Sequence, residues 1–405
     1  MLTVNQRQPV SISPIESPRF HALDAARTIA LLIGIVHHGI ESFVSYANGD
    51  WATQDSQSSI VLDIVFYVSH VFRMQAFFLM SGFFAHLLYH RRGPREFIIN
   101  RTKRLLLPFL LFWPILYAIN WHIWVWGIQR VKHLPWQESI TKLPAYFNWD
   151  NGFPLMHLWF LYFLVLFCAG VAVVRPIVNG WLDPTKRLRA MVDKSLAFAL
   201  THWWGSLALG FIMIAPMLGM TDWFGVDTSA SGLVPRWAPF ILYGLYFTLG
   251  WFLHRQVHLL AYFRQFRLIN LILSICLIAA LIILSLLFDE PKNPADGRLI
   301  LAGLNTLYAF ASMTTVWAFI GYIMAHFSKS NPRIRYLADL AYWGYLVHLS
   351  IVALVQVLVA PYDWAWPLKL LLILSITSVL LGVTYQFGVR NTWLGVLLNG
   401  KRHSR

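Results

Sequence analysis

The residues best suited to chemistry in this sequence flank the apolar run from Arg27 to His38. Asp24, Arg27 and His38 are separated by three and eleven residues, which places them on one stripe of an α-helix. A histidine exchanges a proton near neutral pH, and an arginine is a permanent cation that binds anions. Ionisable groups inside an apolar segment are costly and therefore indicate function. The alternative is structural, with Arg27 reaching the membrane surface and His38 hydrogen-bonded within the helix packing.

His70, Arg73 and Ser81 form a second group, on one face of the next predicted helix. Arg73 falls near the middle of that helix and cannot lose its proton, so it needs an anionic or strongly polar partner. The pattern predicts a functional cation. A structural ion pair of Arg73 with Asp63, or with a carboxylate elsewhere, is the alternative. Gly82 follows Ser81 in SGFF, which predicts the close approach of another helix.

Three further groups are weaker candidates. His157 begins a later apolar segment, where an interfacial histidine is the alternative. Tyr345 and His348 are about one helical turn apart and could hydrogen-bond within the bundle, although packing is the favoured interpretation. Arg101 and Arg104 precede LLLPFLLF. They are either ordinary positive charges at the cytoplasmic surface or ligands of a cytoplasmic anion such as a nucleotide phosphate.

The composition indicates a protein that crosses a membrane many times. Hydrophobic residues make up 58% of the 405 residues and charged residues 12%, whereas soluble domains carry about 25% charged residues. Nineteen Trp and sixteen Tyr fit belts at the membrane surfaces. Cys168 and Cys276 both lie in apolar runs, so we expect neither a disulfide framework nor a thiolate metal site.

We predict an all-α, polytopic membrane protein with about ten transmembrane helices. A flexible cytoplasmic tail, 1–20, precedes a membrane domain, 21–390, and a basic cytoplasmic tail, 391–405, follows it. The spans are predicted at about 22–45, 60–89, 105–128, 155–174, 203–221, 237–254, 268–288, 299–327, 337–360 and 367–389.

The loops between these spans alternate in charge. One set of loops, with both termini, carries 23 Lys and Arg residues, and the opposite loops carry seven. Because positively charged loops remain in the cytoplasm, both termini are predicted to be cytoplasmic. The same asymmetry explains the net charge of +14 without a nucleic-acid partner.

Five short motifs, in order along the chain, resemble the acyltransferase-3 superfamily of integral membrane acyltransferases. The resemblance covers almost the whole chain, and two longer stretches, FRMQAFFLMSGFF and MHLWFLYFLVLF, look like a subgroup associated with the succinylation of periplasmic glucans. The five motifs are ALDAARTIALLIGIVHHG, FFLMSGFF, RTKRLLLPF, HLWFLYFL and GYLVHL.

The resemblance implies an O-acyltransferase of the bacterial inner membrane. It would move an acetyl or succinyl group from cytoplasmic acyl-CoA, a co-substrate, to a hydroxyl group of a periplasmic or cell-envelope glycan. Membrane lipids surround it, and no metal or permanently bound cofactor is expected. The implied catalytic residues are His38, as general base, and Arg73, beside the reacting carbonyl or an acyl carboxylate. The residues implied to bind substrate or donor are Asp24, Arg27, His70, Ser81, Arg101, Arg104, His157, Trp159, Tyr345 and His348.

Arg27 and His38 are expected to act on different parts of the substrates. Eleven residues separate them, which is about 16 Å along a helix. Arg27 is therefore expected to bind the CoA phosphates or pantetheine, or to hold Asp24. His37, next to His38, points about a quarter-turn away on the helix, and the spacing favours His38 as the base.

Three other functions remain open on the sequence alone. A transporter or flippase would use His38 and Arg73 in a proton or substrate path. An acyltransferase could act on a small molecule or a lipid instead of a glycan, and a structural membrane scaffold would do no chemistry. Covalent modification of an acceptor separates the enzymes from the other two.

Overall fold

The structure, a computed structural model, describes residues 20–45, 50–222, 225–288 and 294–400, with only the backbone for 294–296. These described residues form fourteen α-helices and no β-strand. In chain order the helices are α1 (His21–Ile40), α2 (Ile60–Arg101), α3 (Leu107–Lys132), α4 (Trp136–Ile140), α5 (Trp159–Ile177), α6 (Arg187–Leu200), α7 (Gly205–Met217), α8 (Trp237–Arg255), α9 (Leu260–Gln265), α10 (Arg267–Leu287), α11 (Pro294–His326), α12 (Pro332–Val359), α13 (Trp366–Val383) and α14 (Trp393–Asn399).

The predicted all-α, polytopic membrane fold is confirmed. Each predicted span overlaps an α-helix, although α7, within the predicted span 203–221, has only 13 residues. Among the described residues, seven helical segments are long and apolar enough to cross a membrane. One of them, Ile60–Lys132, contains two predicted spans, because the chain bends at Gly93, whose φ of 77° suits glycine, and then continues as a helix. The count of ten crossings and the cytoplasmic termini stay predictions.

Helix α1 lies inside the bundle, in contact with α2, α11, α12 and α13. We call the end of the bundle near Ile40 the outer end and the end near His21 the inner end. Ala25, Ala26 and Ala30 of α1 are fully buried. Small side chains on this helix let its neighbours approach closely, which places polar residues of several helices around one point.

Helices α2 and α8 touch through their backbones. A Cβ atom at Gly82 would lie 1.8 Å from the carbonyl oxygen of Phe247, and one at Gly250 would lie 1.8 Å from that of Leu79. Neither position has room for a side chain. The close approach predicted from SGFF is therefore present, and it fixes α2, the helix that carries Arg73.

Two loops are joined at the outer end. The backbone N–H of Met156 donates to the carbonyl of Ala230, and that of Gly232 donates to the carbonyl of Phe153, both at 2.9 Å. Asp227 is fully buried and holds the loop that contains Ala230 and Gly232 through an ion pair with Arg236 at 2.6 Å. The joined loops cover the outer end of the bundle.

A buried ion pair fixes a third outer segment. The Nζ of Lys369, on α13, lies 2.7 Å from a carboxylate oxygen of Asp55, and their side chains are 0% and 2% exposed. Because a buried charge needs a partner, this pair ties the segment that contains Trp51 and Asp55 to the end of the bundle.

The two predicted tails are only partly within the described residues. Residues 1–19 and 401–405 lie outside them. Phe20, the last residue of the predicted first tail, packs edge-on against Phe83, with ring centroids 4.9 Å apart. Within the predicted 391–405 tail, α14 packs against α12 and buries Leu398. The domain limits stay predictions.

Candidate active site

A cavity of about 500 Å³ opens beneath the outer loops. It is surrounded by α1, α2, α3, α5, α8 and α12. Seven residues that were singled out in the sequence line it: His38, His70, Arg73, His157, Trp159, Tyr345 and His348. They come from four helices and one 3-10 turn, so the fold brings together residues up to 310 positions apart.

His38 is held by a carboxylate that the sequence interpretation missed. Its Nδ1 lies 2.8 Å from Oε2 of Glu41, and both side chains are about one-fifth exposed. With Glu41 ionised, the carboxylate can only accept, so Nδ1 carries the hydrogen and Nε2 keeps a lone pair. Nε2 makes no hydrogen bond within the described residues and belongs to a side chain that lines the cavity. The arrangement is that of a general base oriented by a carboxylate.

The end of α1 creates this contact. The helix gives way to a 3-10 turn at Glu41, whose N–H bonds to the carbonyl of His38. Gln356, 1% exposed on α12, donates its Nε2 to the carbonyls of His38 and Gly39 at 2.9 and 3.0 Å. Its Oε1 accepts from the indole of Trp51 at 2.8 Å. That indole is parallel to the His38 ring, with centroids 5.6 Å apart.

His37 also lines the cavity, but its surroundings differ from those of His38. Its Nδ1 lies 2.7 Å from the hydroxyl of Ser69, which donates to the carbonyl of Phe66 at 2.8 Å. The ring stacks on Phe66 at 4.1 Å and is 4% exposed. His37 is therefore hydrogen-bonded to a neutral hydroxyl group. A hydroxyl group stabilises a developing imidazolium less than a carboxylate does.

Arg73 is a nearly buried cation, 7% exposed, in the wall of the cavity. Its Nη1 donates to the carbonyl of Gly34 at 3.4 Å, and its Nε has no partner within the described residues. The structure gives Arg73 no ion pair among those residues. Asp63, the partner considered from the sequence, accepts two hydrogen bonds from Ser45. An incompletely paired guanidinium in a cavity suits an anionic ligand or a developing negative charge.

His70 and Trp159 complete the deeper wall of the cavity. The Nδ1 of His70 lies 3.1 Å from the hydroxyl of Tyr308. The indole of Trp159 packs against Tyr243, with ring centroids 5.3 Å apart. Tyr243 lines the cavity as well and had no signal in the sequence.

The remaining predicted residues do not line the cavity. Arg27 pairs with Asp24 at 3.2 Å, and these side chains are 41% and 31% exposed near the inner end. Ser81 lies further along α2, towards the inner end. Arg101 and Arg104 follow on the same chain segment, and the charge of Arg101 is close enough to Arg27 for the two to repel. The structure thus separates a basic inner end from the histidine-rich outer cavity.

Several residues at the cavity mouth gave no signal in the sequence. Tyr146, on an outer loop, donates its hydroxyl to the carbonyl of Asp50 at 2.8 Å. Burial raises the pKa of Tyr146 well above its ordinary value, so it stays a donor at neutral pH. Asp222 and Arg236 line the mouth from the loop held by Asp227. Only Glu41, three residues after His38, could have been inferred from spacing.

Three side chains could approach a metal ion. Ligand atoms of His37, His38 and Glu41 all lie within 4.8 Å of one another. The fixed positive charge of Arg73 lines the same cavity and opposes a second cation. That the protein uses no metal stays a prediction.

Comparison with known proteins identifies the family. The family described as "Acyltransferase domain" matches residues 20–385. Glucans biosynthesis protein C of Escherichia coli (strain K12) is 25% identical over 410 residues, covering 96% of this chain and 97% of that protein. Its namesake in Shigella dysenteriae serotype 1 is 24% identical over 408 residues, with 96% and 97% covered. No solved structure matches.

Membership in an acyltransferase family decides between the classes of function that the composition left open. The match spans nearly the whole chain, so it applies to the bundle that contains the cavity. It favours covalent chemistry over transport or a structural scaffold. The chain belongs to the acyltransferase-3 family and is a multi-pass membrane O-acyltransferase.

Proposed function

We propose that the protein transfers an acetyl or succinyl group from cytoplasmic acyl-CoA to a hydroxyl group of a periplasmic or cell-envelope glycan. The observation that carries the proposal is the His38–Glu41 pair beside Arg73 in a cavity at the outer end. The relatives named glucans biosynthesis protein C support a glycan acceptor. Acyl-CoA acts as a co-substrate, no cofactor is bound permanently, and the protein lies in the bacterial inner membrane.

The chemistry follows from the hydrogen bonds of the site. The Nε2 of His38 removes the proton of the acceptor hydroxyl as its oxygen attacks the thioester carbonyl carbon. Arg73 stabilises the negative charge that develops on the carbonyl oxygen. The carbon–sulfur bond then breaks, and the CoA thiolate takes the proton from His38. The products are an ester and CoA with a free thiol.

Glu41 and Arg73 have separate tasks in this reaction. The carboxylate of Glu41 holds Nδ1–H and stabilises the imidazolium form of His38 during the reaction. Arg73 is a permanent cation, so it can hold the carbonyl oxygen or, with a succinyl donor, the free carboxylate of the acyl group. The second task would make succinyl a better donor than acetyl.

The inner end suits the donor. Arg27, Arg101 and Arg104 lie near one another there, and the phosphates of CoA carry several negative charges. The apolar stretch of α1 between Arg27 and His38 separates this end from the reacting end. The acyl group must therefore reach the cavity while the nucleotide stays at the basic end.

The test uses the purified full-length protein in lipid nanodiscs. Acetyl-CoA or succinyl-CoA is supplied with a short glucose oligosaccharide, and the products are analysed by mass spectrometry. The proposal expects a mass increase of one acyl group on the oligosaccharide, lost with His38→Gln. Envelope glycans of a deletion strain should lack the same group. Acylation of a lipid or small molecule, with the glycans unchanged, would contradict the glycan acceptor.

A further inference from the structure

His157 and His348 are bound to one short stretch of α12. The Nε2 of His157 lies 2.9 Å from the carbonyl of Leu346, and the hydroxyl of Tyr345 donates to the carbonyl of His157 at 2.9 Å. The Nδ1 of His348 lies 3.0 and 2.9 Å from the carbonyls of Gly344 and Tyr345. These bonds connect the beginning of α5 to α12 and hold both rings against the cavity.

The carbonyl partners determine which nitrogen of each neutral ring carries the hydrogen. A carbonyl oxygen only accepts hydrogen bonds, so Nε2 of His157 and Nδ1 of His348 must be the donors. The lone pairs then lie on Nδ1 of His157 and Nε2 of His348. Neither atom has a hydrogen-bond partner in the described part of the chain.

These lone pairs continue a row that begins at the catalytic base. The ring of His348 lies 5.4 Å from that of His38 and 5.9 Å from that of His157, centroid to centroid. With Glu41 ionised, His38 likewise keeps its lone pair on Nε2. Three neighbouring imidazoles thus offer acceptors and no free donors, which is an environment for a ligand that donates hydrogen bonds.

The charge of the cavity narrows the ligand class. Ammonium groups and hydroxyl groups both donate hydrogen bonds. The fixed cation Arg73 lines the same cavity and repels an ammonium group. The Nδ1 of His157 is a buried acceptor without a partner among the described residues, and such an atom is destabilising until a donor reaches it. A neutral compound with several hydroxyl groups meets both requirements.

We propose that His348, supported by His157, is a hydroxyl-binding subsite for the acyl acceptor. While His38 deprotonates one hydroxyl, Nε2 of His348 accepts a hydrogen bond from a neighbouring hydroxyl of the same molecule. The subsite selects polyhydroxylated acceptors over simple alcohols. The inference rests on the proposed function, because it uses the same base and the same cavity.

The variant His348→Asn tests the subsite. Its amide N–H can keep the bond to the carbonyl of Gly344, whereas the acceptor at Nε2 is removed. His122→Asn is the matched control, because His122 also bonds through Nδ1 to a carbonyl four residues earlier but is exposed and lies outside the cavity. Both variants are compared with the parent protein in nanodiscs, at equal amounts of monodisperse protein.

Two measurements use a short glucose oligosaccharide as the probe. Binding is measured by calorimetry without donor, and transfer is measured with acetyl-CoA. His348→Asn should weaken binding and raise the oligosaccharide KM about 3- to 10-fold, as expected for one lost hydrogen bond. The kcat and the transfer to cyclohexanol, which has a single hydroxyl, should change less than about twofold. His122→Asn should match the parent protein.

The outcomes separate this inference from the proposed function. If the parent protein binds the oligosaccharide but transfers nothing, and His348→Asn binds it more weakly, the acyl transfer is wrong and the subsite stands. If His348→Asn binds it as tightly as the parent protein, or if the parent protein does not bind it, the subsite is wrong. A loss of transfer to cyclohexanol as large as that to the oligosaccharide also overturns the subsite. If His348→Asn is not monodisperse, the subsite is tested instead by the KM values of the parent protein for cyclohexanol and inositol. A KM for inositol no lower than that for cyclohexanol overturns the subsite.

Discussion

His37 and His38 are adjacent and both line the cavity, so their positions alone do not identify the base. Their partners do. His38 faces the carboxylate of Glu41, whereas His37 faces the hydroxyl of Ser69 and stacks on Phe66. A ring that must become positively charged during the reaction is stabilised more by a carboxylate than by a hydroxyl.

We predict that His38→Gln lowers kcat by about 100- to 10,000-fold, the usual contribution of a general base. His37→Gln keeps most of the activity, since Gln can retain a hydrogen bond to Ser69. The measurement is acyl transfer by both variants at equal amounts in nanodiscs, with acyl-CoA binding measured separately. Near-parental transfer by His38→Gln would show that His38 is structural, and His37, His70 and His157 would be tested next.

Glu41 gives a second prediction at the same scale. Glu41→Gln keeps an acceptor for Nδ1–H but removes the negative charge, so kcat should fall about 10-fold, the difference between a charge-assisted and a neutral hydrogen bond. The acyl-CoA KM should not change, because Glu41 lies far from the basic inner end. Glu138→Gln, at an exposed position outside the cavity, is the control. An unchanged kcat in Glu41→Gln would mean that His38 does not need the carboxylate.

At the scale of the elements, the outer end of α1 is held across the whole sequence. Gln356 bonds to the carbonyls of His38 and Gly39, 318 and 317 positions away, and to the indole that stacks on His38. The turn that presents Glu41 depends on these bonds. Gln356 is thus a positioning residue that acts through His38 and Trp51.

We predict that Gln356→Met lowers kcat about 10-fold with little change in the KM of either substrate. The variant loses the hydrogen bonds to the end of α1 and to Trp51, but it loses no contact with a substrate. Gln75→Met is the control, since Gln75 is 0% exposed and lies outside the cavity. A purely structural role for Gln356 would lower the amount of folded protein and leave the kcat of the remainder intact. Parental kcat in monodisperse Gln356→Met would therefore contradict the positioning role.

The inner end carries the next prediction. Arg101→Gln and Arg104→Gln should each raise the acyl-CoA KM about 10-fold and leave kcat nearly unchanged, because a charged hydrogen bond to a phosphate is lost in ground and transition states alike. Lys103→Gln, an exposed neighbour in the same segment, is the control. A large loss of kcat at a parental KM would place these arginines in the chemical step.

The sequence predicts some parts of the site and not others. Helix positions follow from apolar runs, and an unpaired cation such as Arg73 is visible because it interrupts one. The three-residue spacing of His38 and Glu41 permits their contact, but the change from α- to 3-10 geometry at Glu41 is not visible in the sequence. Gln356 depends on how α12 packs against α1, and no local pattern reports that contact.

For the molecule as a whole, the charge of the loops and the position of the cavity support the same orientation. The basic segments 90–104 and 175–200 carry eleven of the Lys and Arg residues. The cavity lies at the other end, beneath loops that contain Asp50 and Asp222. If the positively charged segments lie in the cytoplasm, as the loop charges predict, the proposed donor end lies inside and the proposed acceptor cavity outside. A transferase with this orientation delivers an intracellular acyl group to an extracytoplasmic hydroxyl.

The orientation is tested by labelling exposed positions from outside the cell. Asp150 lies in an outer loop and Lys186 within the basic segment 175–200, and both are exposed. After Cys168 and Cys276 are replaced by Ala, Asp150→Cys should react with a membrane-impermeant maleimide in intact cells. Lys186→Cys should react only after the cells are made permeable, because it lies on the positively charged side.

A reporter fused after Arg405 gives the independent control. A cytoplasmic reporter should be active there, and alkaline phosphatase, which needs the periplasm to form its disulfides, should be inactive. Labelling of Lys186→Cys in intact cells, together with active phosphatase, would reverse the orientation. The cavity would then face the cytoplasm, and His38 would have to acylate an intracellular acceptor.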